Sequence, residues 1–365
     1  MKLGIIGDAH MGCADYSQKR RADFTTAFTN AVEVLLANGS EAICLLGDVF
    51  DSQVMRRNVD VFADVVREIA PVLRRLAAHA VPVLAIAGNH EFGRGREAGE
   101  LRVLEALGMV RLLRNEAYMI GNVAICGVPW HPTESIEKLG AEADRLRHLG
   151  STRRVLLLHN FVHGSRHVPS HLWEVKPTVA VGFDRVFVGH HHDAEEVGPF
   201  TMPGATEVQN LAEQDRVKKV VVYDTEKGCA TFFELPKTHP TFVVTYDVGA
   251  YAKVNDLFAK IRSDLERMDL REAFVCVRIL GTLRPGVTVS RAEIVALLRG
   301  LAVFDRYVEV RLERQTKKAT EAIQGATIDG LLLRDFGRED AKARQYIENC
   351  TKPDFGPAIV EEILS

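Results

Sequence analysis

No part of this 365-residue sequence is a long hydrophobic run. None reaches the ~18 uninterrupted apolar residues that a membrane span needs, so no membrane partner is expected. The N-terminal MKLGIIGDAHMG is apolar for only a few residues before Asp8 and His10, which does not read as a secretory signal. Cysteine is scarce. Cys13, Cys44, Cys126, Cys229, Cys276 and Cys350 are scattered, with no C-x-x-C pair. That speaks against a zinc ribbon and a disulfide framework and fits a reducing, cytoplasmic setting. An excess of positive charge is missing as well. With 46 basic and 49 acidic residues the net charge is −3, so no whole-molecule basic field draws the chain to nucleic acid. A local basic patch is still compatible with that balance. There are no internal repeats and no low-complexity segments.

What is present suffices for a sizeable core, since 47% of the residues are hydrophobic. The length suggests about two domains. KLGIIG, EAICLLG, VPVLAIAG, NVAICGV, RRVLLLH and DRVFVGH are short, rich in Val, Ile and Leu, and read as buried strands. Between them FTTAFTNAVEVLLANG and NVDVFADVVREIAPVLRRLAAHA carry apolar residues at helical spacing, the first ending on Asn-Gly. This alternation predicts an α/β fold, a largely parallel or mixed sheet with helices on its faces. A strand-rich stretch follows to about Leu235, with a hairpin loop at Asp224–Gly228. PKTHP, residues 236–240, reads as a linker because two prolines interrupt regular structure. Beyond it, TFVVTYDV, KVNDLFAKIRSDLERM, AFVCVRIL, SRAEIVALLRGL and YVEVRLER predict a strand–helix–strand–helix–strand domain over 241–313. Residues 314–365 are polar and helix-prone and predict a helical tail, either a partner-binding segment or helices packed back on the body.

The chemistry sits at the strand ends, where open α/β sheets bind ligands. KLGIIG runs into Asp8-Ala9-His10, EAICLL into Gly47-Asp48-Val49-Phe50-Asp51, and VPVLAIA into Gly88-Asn89-His90-Glu91. RRVLLL runs into His159-Asn160, and RVFV into Gly189-His190-His191-His192. Glycine precedes the polar residue in four of these five turns, which predicts tight turning of the backbone. Mixed His, Asp and Asn donors suit a pair of Mn²⁺, Fe²⁺ or Zn²⁺ ions, whereas Ca²⁺ prefers all-oxygen shells. Asp48 is the natural bridge, since a carboxylate can bind two ions. Asp-x-His and His-x-His put alternate side chains on one side of an extended segment. His190 and His192 are therefore predicted ligands, and Ala9 and His191 point away.

In order along the chain, D-x-H, G-D-x-x-D, G-N-H-[DE], an isolated His and G-H-x-H resemble the signature of the calcineurin-like metallophosphoesterases, over about residues 1–235. Within that superfamily DAHMG, GDVFD and VGHHH followed by MPGATEVQNLAEQDRVKKVVVYD look most like the SbcD-like DNA double-strand-break repair nucleases. The resemblance implies a four-layer metallophosphoesterase sandwich, mixed β sheets flanked by helices, with the smaller α+β domain as a DNA cap. It implies two metal ions, most commonly Mn²⁺. Asp8, His10, Asp48 and His192 would hold one, and Asp48, Asn89, His159 and His190 the other. His90 would be the acid beside the scissile phosphate. Many relatives carry a second active-site His where this chain has Asp51, which leaves a catalytic role for Asp51 open. Glu91 stands where Asp is commoner.

Other residues have two readings each. Arg56, Arg57, Arg94 and Arg96 follow the second and third motifs directly and either neutralise DNA phosphates or form a helix start and a solvated turn. His163, His167 and His171 lie in one loop and read as solvated, with substrate contact the alternative. Lys19, Arg20 and Arg21 read as a solvated helix face, and Trp130 as packing. Segment 16–38 is either a dimer helix pair, as the resemblance implies, or core packing. The leading function is a metal-dependent DNA nuclease, exonuclease and endonuclease, working with an SMC-like coiled-coil ATPase at the nucleoid. The rivals are a small-substrate phosphodiesterase or phosphatase on the same metal core, and a DNA-end tether or ATPase adaptor.

Overall fold

The computed structural model describes residues 1–13, 17–51, 55, 59–92, 99–132, 136–150, 152–166, 174–283 and 288–314. Strands β1 (Lys2–Ile6), β2 (Ala42–Leu45), β3 (Val83–Ala85) and β4 (Arg111–Leu112) come first along the chain. Then come β5 (Glu116–Ile120), β6 (Val123–Val128), β7 (Arg153–His159), β8 (Arg185–Gly189), β9 (Glu195–Val197) and β10 (Phe200–Met202). Next are β11 (Lys219–Asp224) and β12 (Cys229–Glu234), and finally β13 (Thr241–Asp247), β14 (Phe274–Leu283) and β15 (Asp305–Arg314). The strands form two sheets of six, as the resemblance to a four-layer sandwich implies: β12-β11-β1-β2-β3-β4 and β5-β6-β7-β8-β10-β9. Both are mixed. In the first sheet β1 through β4 are parallel and β11 and β12 antiparallel; in the second β6, β7, β8 and β10 are parallel.

Strand alternation explains the layers. Leu3, Ile5, Cys44, Leu46, Leu84 and Ile86 of the first sheet pack against Val123, Ile125, Val155, Leu157 and Phe187 of the second. The alternate positions Ile6, Ile43, Leu45, Val83 and Ala85 face helices on the other side. Helix Arg21–Ala37 contributes Phe28, Ala31, Val32 and Leu35 there, and helix Val59–Ala78 contributes Val61, Val65, Ile69, Leu73 and Leu76. These recur at three- and four-residue steps, one stripe of a helix. The outer face of the second sheet packs Leu156, Leu158 and Val188 against Leu139, Ala143 and Leu146 of helix Ile136–Arg147. The result is a helix–sheet–sheet–helix sandwich, whose central strands β1, β2, β3, β6 and β8 are buried on both faces and therefore almost wholly apolar. Phe28, Ala31, Val32 and Leu35 of helix Arg21–Ala37 are thereby buried in the first sheet's helix layer.

One reading is corrected here. Lys19 is exposed, but Arg20 is buried, with 1% of its surface accessible. Its guanidinium lies 3.5 Å from both Asp23 and Glu207 and donates to the Val208 carbonyl at 2.9 Å. It also lies over the Phe274 ring at 5.1 Å. Asp23, one helical turn on, and Glu207, far away in sequence, together make the burial possible, and no local pattern announces Glu207. Trp130 packs as expected, its ring 5.6 Å from that of Phe92.

Contacts group the chain into two units. The described residues of 1–246, 258–278 and 290–309 form one, and 247–257, 279–283, 288–289 and 310–314 form the other. A third, three-stranded sheet is ordered β13-β14-β15. Helices Val254–Glu266 and Arg291–Leu298 lie between these strands in sequence, the second started by a Ser290–Glu293 capping box. No helix among the described residues is long and apolar enough to cross a membrane.

Candidate metal centre

The five polar turns gather because the strands that carry them are neighbours. β1, β2 and β3 lie side by side and parallel, so Asp8-His10, Asp48 and Asn89-His90 leave one edge of the first sheet. β7 and β8 are likewise parallel neighbours, with His159 opposite Gly189, so His159 and His190 leave the second sheet side by side. The two edges meet. His159 Nδ1 of the second sheet donates to the Leu46 carbonyl of the first at 2.7 Å. This approach explains the glycines better than turning does. Of the four, Gly47 alone has a positive φ, +88°. At Gly189 a Cβ would sit 2.3 Å from the Leu46 carbonyl oxygen, so the requirement there is space between the sheets. His10, Asp48 and His190 themselves hold positive φ values of 44°, 46° and 82°. Non-glycine residues rarely adopt that backbone, and it concentrates at functional sites.

Three overlapping groups of donor atoms result, each with its atoms within 4.8 Å of one another: Asp8/His10/His192, His10/Asp48/His90 and Asp48/His159/His190. Asp48 and His10 are shared between groups. His10 Nε2 faces His192 Nε2 at 3.2 Å, and His159 Nε2 lies 3.0 Å from Asn89 Oδ1 and 3.4 Å from Asp48 Oδ2. Asp8 accepts the His190 backbone N–H through both oxygens, at 2.8 and 3.0 Å, and Asp48 Oδ1 accepts the His90 N–H at 2.8 Å. His90 Nδ1 lies 3.6 Å from Asp51. Thus Asp8, His10, Asp48, Asn89, His90, His159, His190 and His192 all converge, with Asp51 behind His90. His191 turns aside: it accepts from the Val162 N–H at 3.3 Å and pairs with the Ser165 hydroxyl at 3.1 Å. A cavity of about 340 Å³ opens beside His190, His192, Phe161 and Arg216.

The donor set fits divalent cations. With Nδ1 donating to Leu46, the remaining lone pair of neutral His159 points at two oxygens that are themselves acceptors. Either a proton or a cation must lie there. Without a cation it is a proton. Burial pulls the His159 pKa down, but the carboxylates of Asp48 and Asp8 and the Leu46 carbonyl outweigh it and lift it to about 9. Burial holds His10 down at about 3 and, with His159 beside it, His190 at about 2. Both are therefore neutral imidazoles at neutral pH, the ligand form. Burial opposes ionisation of Asp48, yet His159, His10 and His90 hold its carboxyl far below the usual range. Burial raises Asp8.

Three residues around the site escape the motif reading. Glu91 is completely buried, and its carboxylate accepts the backbone N–H groups of Asp48, Phe50 and Gly88 at 2.8–2.9 Å. Burial, reinforced by Asp48, lifts it to about 7. It thereby ties the second motif to the third, and its only sequence signal is the Glu in a place where Asp is commoner. Glu213 and Lys218 stand behind His192. They lie more than twenty residues further along the chain, within the stretch 202–224 that carries the SbcD-like resemblance, where no spacing assigns either residue a task at the site. Arg56, Arg57, Arg94 and Arg96, together with His167, His171 and the tail from 315, lie outside the described residues. His163 is on an exposed turn, its ring 2.7 Å from Glu174.

A model of the calcineurin-like phosphoesterase family matches residues 1–194. The DNA double-strand break repair protein Mre11 of Haloferax volcanii is 29% identical over 296 residues, covering 79% of this chain and 62% of that one. The protein of that name from Methanosarcina mazei is 24% identical over 304 residues, covering 81% and 48%. That of Methanosarcina acetivorans is 25% identical over 369 residues, covering 98% and 56%. The chain therefore spans about half to three fifths of the length of these curated relatives.

Proposed function

The chain belongs to the calcineurin-like phosphoesterase family, and from that premise we propose that it is a dinuclear-metal-dependent DNA nuclease. It would hydrolyse phosphodiester bonds as exonuclease and endonuclease in double-strand-break repair, as the names of its relatives suggest. The observation that carries the reading is the pair of carboxylate–imidazole groups, Asp8/His10/His192 and Asp48/His159/His190, joined by Asp48 beside His10. Asp8, His10, Asp48 and His192 would hold one cation, and Asp48, Asn89, His159 and His190 the other, with Mn²⁺ the expected ion. Bound cations of this kind supply Lewis acidity and lower the pKa of water.

The residues around them have separable tasks. His90 is half-buried, with one ring nitrogen near Asp51 and its ring 4.6 Å from that of His10. Burial works against its charge, but the neighbouring Asp51 carboxylate and the charge of Asp48 raise its pKa. With its protonated form favoured in this way, His90 would be the acid that donates to the departing oxygen. Asp51 orients the ring. The His90 backbone N–H, by holding Asp48, keeps the acid and the shared carboxylate in register. Residues 241–313 would cap the DNA. The partners would be DNA, an SMC-like coiled-coil ATPase and a second copy of the chain, at the nucleoid in the cytoplasm.

The test is DNA degradation by the purified chain. Linear duplex and single-stranded DNA are offered with Mn²⁺, with Mg²⁺ and with EDTA, beside His90→Ala. Cleavage that needs Mn²⁺ and falls ~10²–10⁴-fold in the variant is expected. No cleavage of DNA, together with hydrolysis of bis-p-nitrophenyl phosphate, would move the assignment to a small-substrate phosphodiesterase.

A further inference from the structure

Past residue 194, where the family match ends, Glu213 and Lys218 reach back to the site. Glu213 closes a short 3-10 turn, Leu211–Glu213, and Lys218 immediately precedes β11. His192 Nδ1 donates to Glu213 Oε1 at 2.9 Å. The other oxygen, Oε2, accepts from Lys218 Nζ at 2.6 Å. Lys218 is 7% exposed, and its ammonium also reaches the His192 carbonyl at 3.4 Å. A buried ammonium needs a charged partner, so Lys218 keeps Glu213 ionised and aimed. The turn does not depend on that carboxylate, because Asn210 caps it through the Ala212 N–H at 3.0 Å. With Nδ1 donating, the lone pair of His192 lies on Nε2, the nitrogen that faces His10.

We infer that Glu213 and Lys218 are positioning residues, which fix the tautomer and ring orientation of His192 and so set the affinity of the Asp8/His10/His192 side for its cation. The inference rests on the two-metal reading. Partners of this kind behind a ligating imidazole change metal affinity by ~10–100-fold when removed.

The experiment uses the full chain with Mn²⁺ alone as probe. Free Mn²⁺ is followed by electron paramagnetic resonance during titration of the wild type, Glu213→Ala, Glu213→Gln and Lys218→Met. The His192 tautomer is read by ¹⁵N NMR in the metal-free protein, its signal assigned by its loss in His192→Gln. The wild type should take up two ions and show a protonated Nδ1. Glu213→Ala should bind one ion ~10–100-fold more weakly, leave the other unchanged, and lose the Nδ1–H signature. Glu213→Gln, whose amide oxygen still accepts, should keep the tautomer and fall between. Wild-type affinity for both ions in Glu213→Ala, or an unchanged tautomer, would overturn the inference. Should Glu213→Ala not fold, Lys218→Met and Glu213→Gln carry the same comparison. A wild type that binds fewer than two ions overturns the two-metal reading, while the tautomer comparison in the metal-free chain still decides the role of Glu213.

Discussion

The two halves of the site are held by different means. On the Asp48/His159/His190 side the main chain does the holding. His159 is fixed by the Leu46 carbonyl, Asp48 by the His90 N–H, and Glu91 gathers three further N–H groups. On the Asp8/His10/His192 side the support comes from side chains. His192 leans on Glu213 and Lys218, and His10 Nδ1 has no hydrogen-bond partner among the described residues. Asp8 ties the halves together by accepting the His190 N–H. The difference teaches where each half can be altered. Main-chain support moves only when the sheets move, whereas side-chain support can be deleted by one substitution far along the chain.

The largest effect should come from the residue both halves share. Asp48→Asn is expected to lower phosphodiester hydrolysis roughly 10³-fold and to weaken uptake of both ions, read by turnover and by Mn²⁺ titration. Loss of one ion alone would mean that Asp48 belongs to a single half. Next is Glu91→Ala. It leaves buried N–H groups of Asp48, Phe50 and Gly88 without acceptors, each worth ~1 kcal/mol or more, so urea denaturation should show a loss of about 3 kcal/mol. A loss below about 1 kcal/mol would show that water replaces Glu91 and that this half is less firmly locked than the hydrogen bonds suggest.

A pH dependence is expected on the His159 side. His159 is protonated below its raised pKa of about 9 in the metal-free protein, and a cation needs it neutral. Binding on that side must therefore expel a proton. Affinity should rise about tenfold per pH unit and level off above the raised pKa. His10 at about 3 and His190 at about 2 are already neutral and add no slope. Calorimetry in two buffers with different ionisation heats counts the released protons, and a count of zero contradicts the assignment. The smallest effect is expected for Asp51→Asn, which removes the group that orients His90 and touches neither half. Turnover should fall roughly tenfold or less with Mn²⁺ affinity unchanged.

The sequence makes the donors legible because each follows a short apolar strand, and strand ends are where such folds place ligands. It also shows the strands themselves, whose burial on both faces leaves them almost purely apolar. Periodicity alone does not reveal that the strands divide into two sheets, since it says which residues are buried and not against what; the motif resemblance carries that part. Strand β5, with half-exposed Glu116–Ile120, and the charge-rich helix Ile136–Arg147 are quiet for the opposite reason: partial burial dilutes their pattern. The tasks of Arg20, Glu91 and Glu213 are not legible because Glu207, the Asp48 and Phe50 N–H groups and His192 are distant from them in sequence. An isolated charged residue reads as solvated until the fold supplies its counterpart.

The most direct test of the account is a crystal soaked in Mn²⁺ and measured across the manganese absorption edge. Two anomalous peaks are predicted, one among Asp8, His10, Asp48 and His192 and one among Asp48, Asn89, His159 and His190, with Asp48 touching both. A single peak, or none at these side chains, would contradict it.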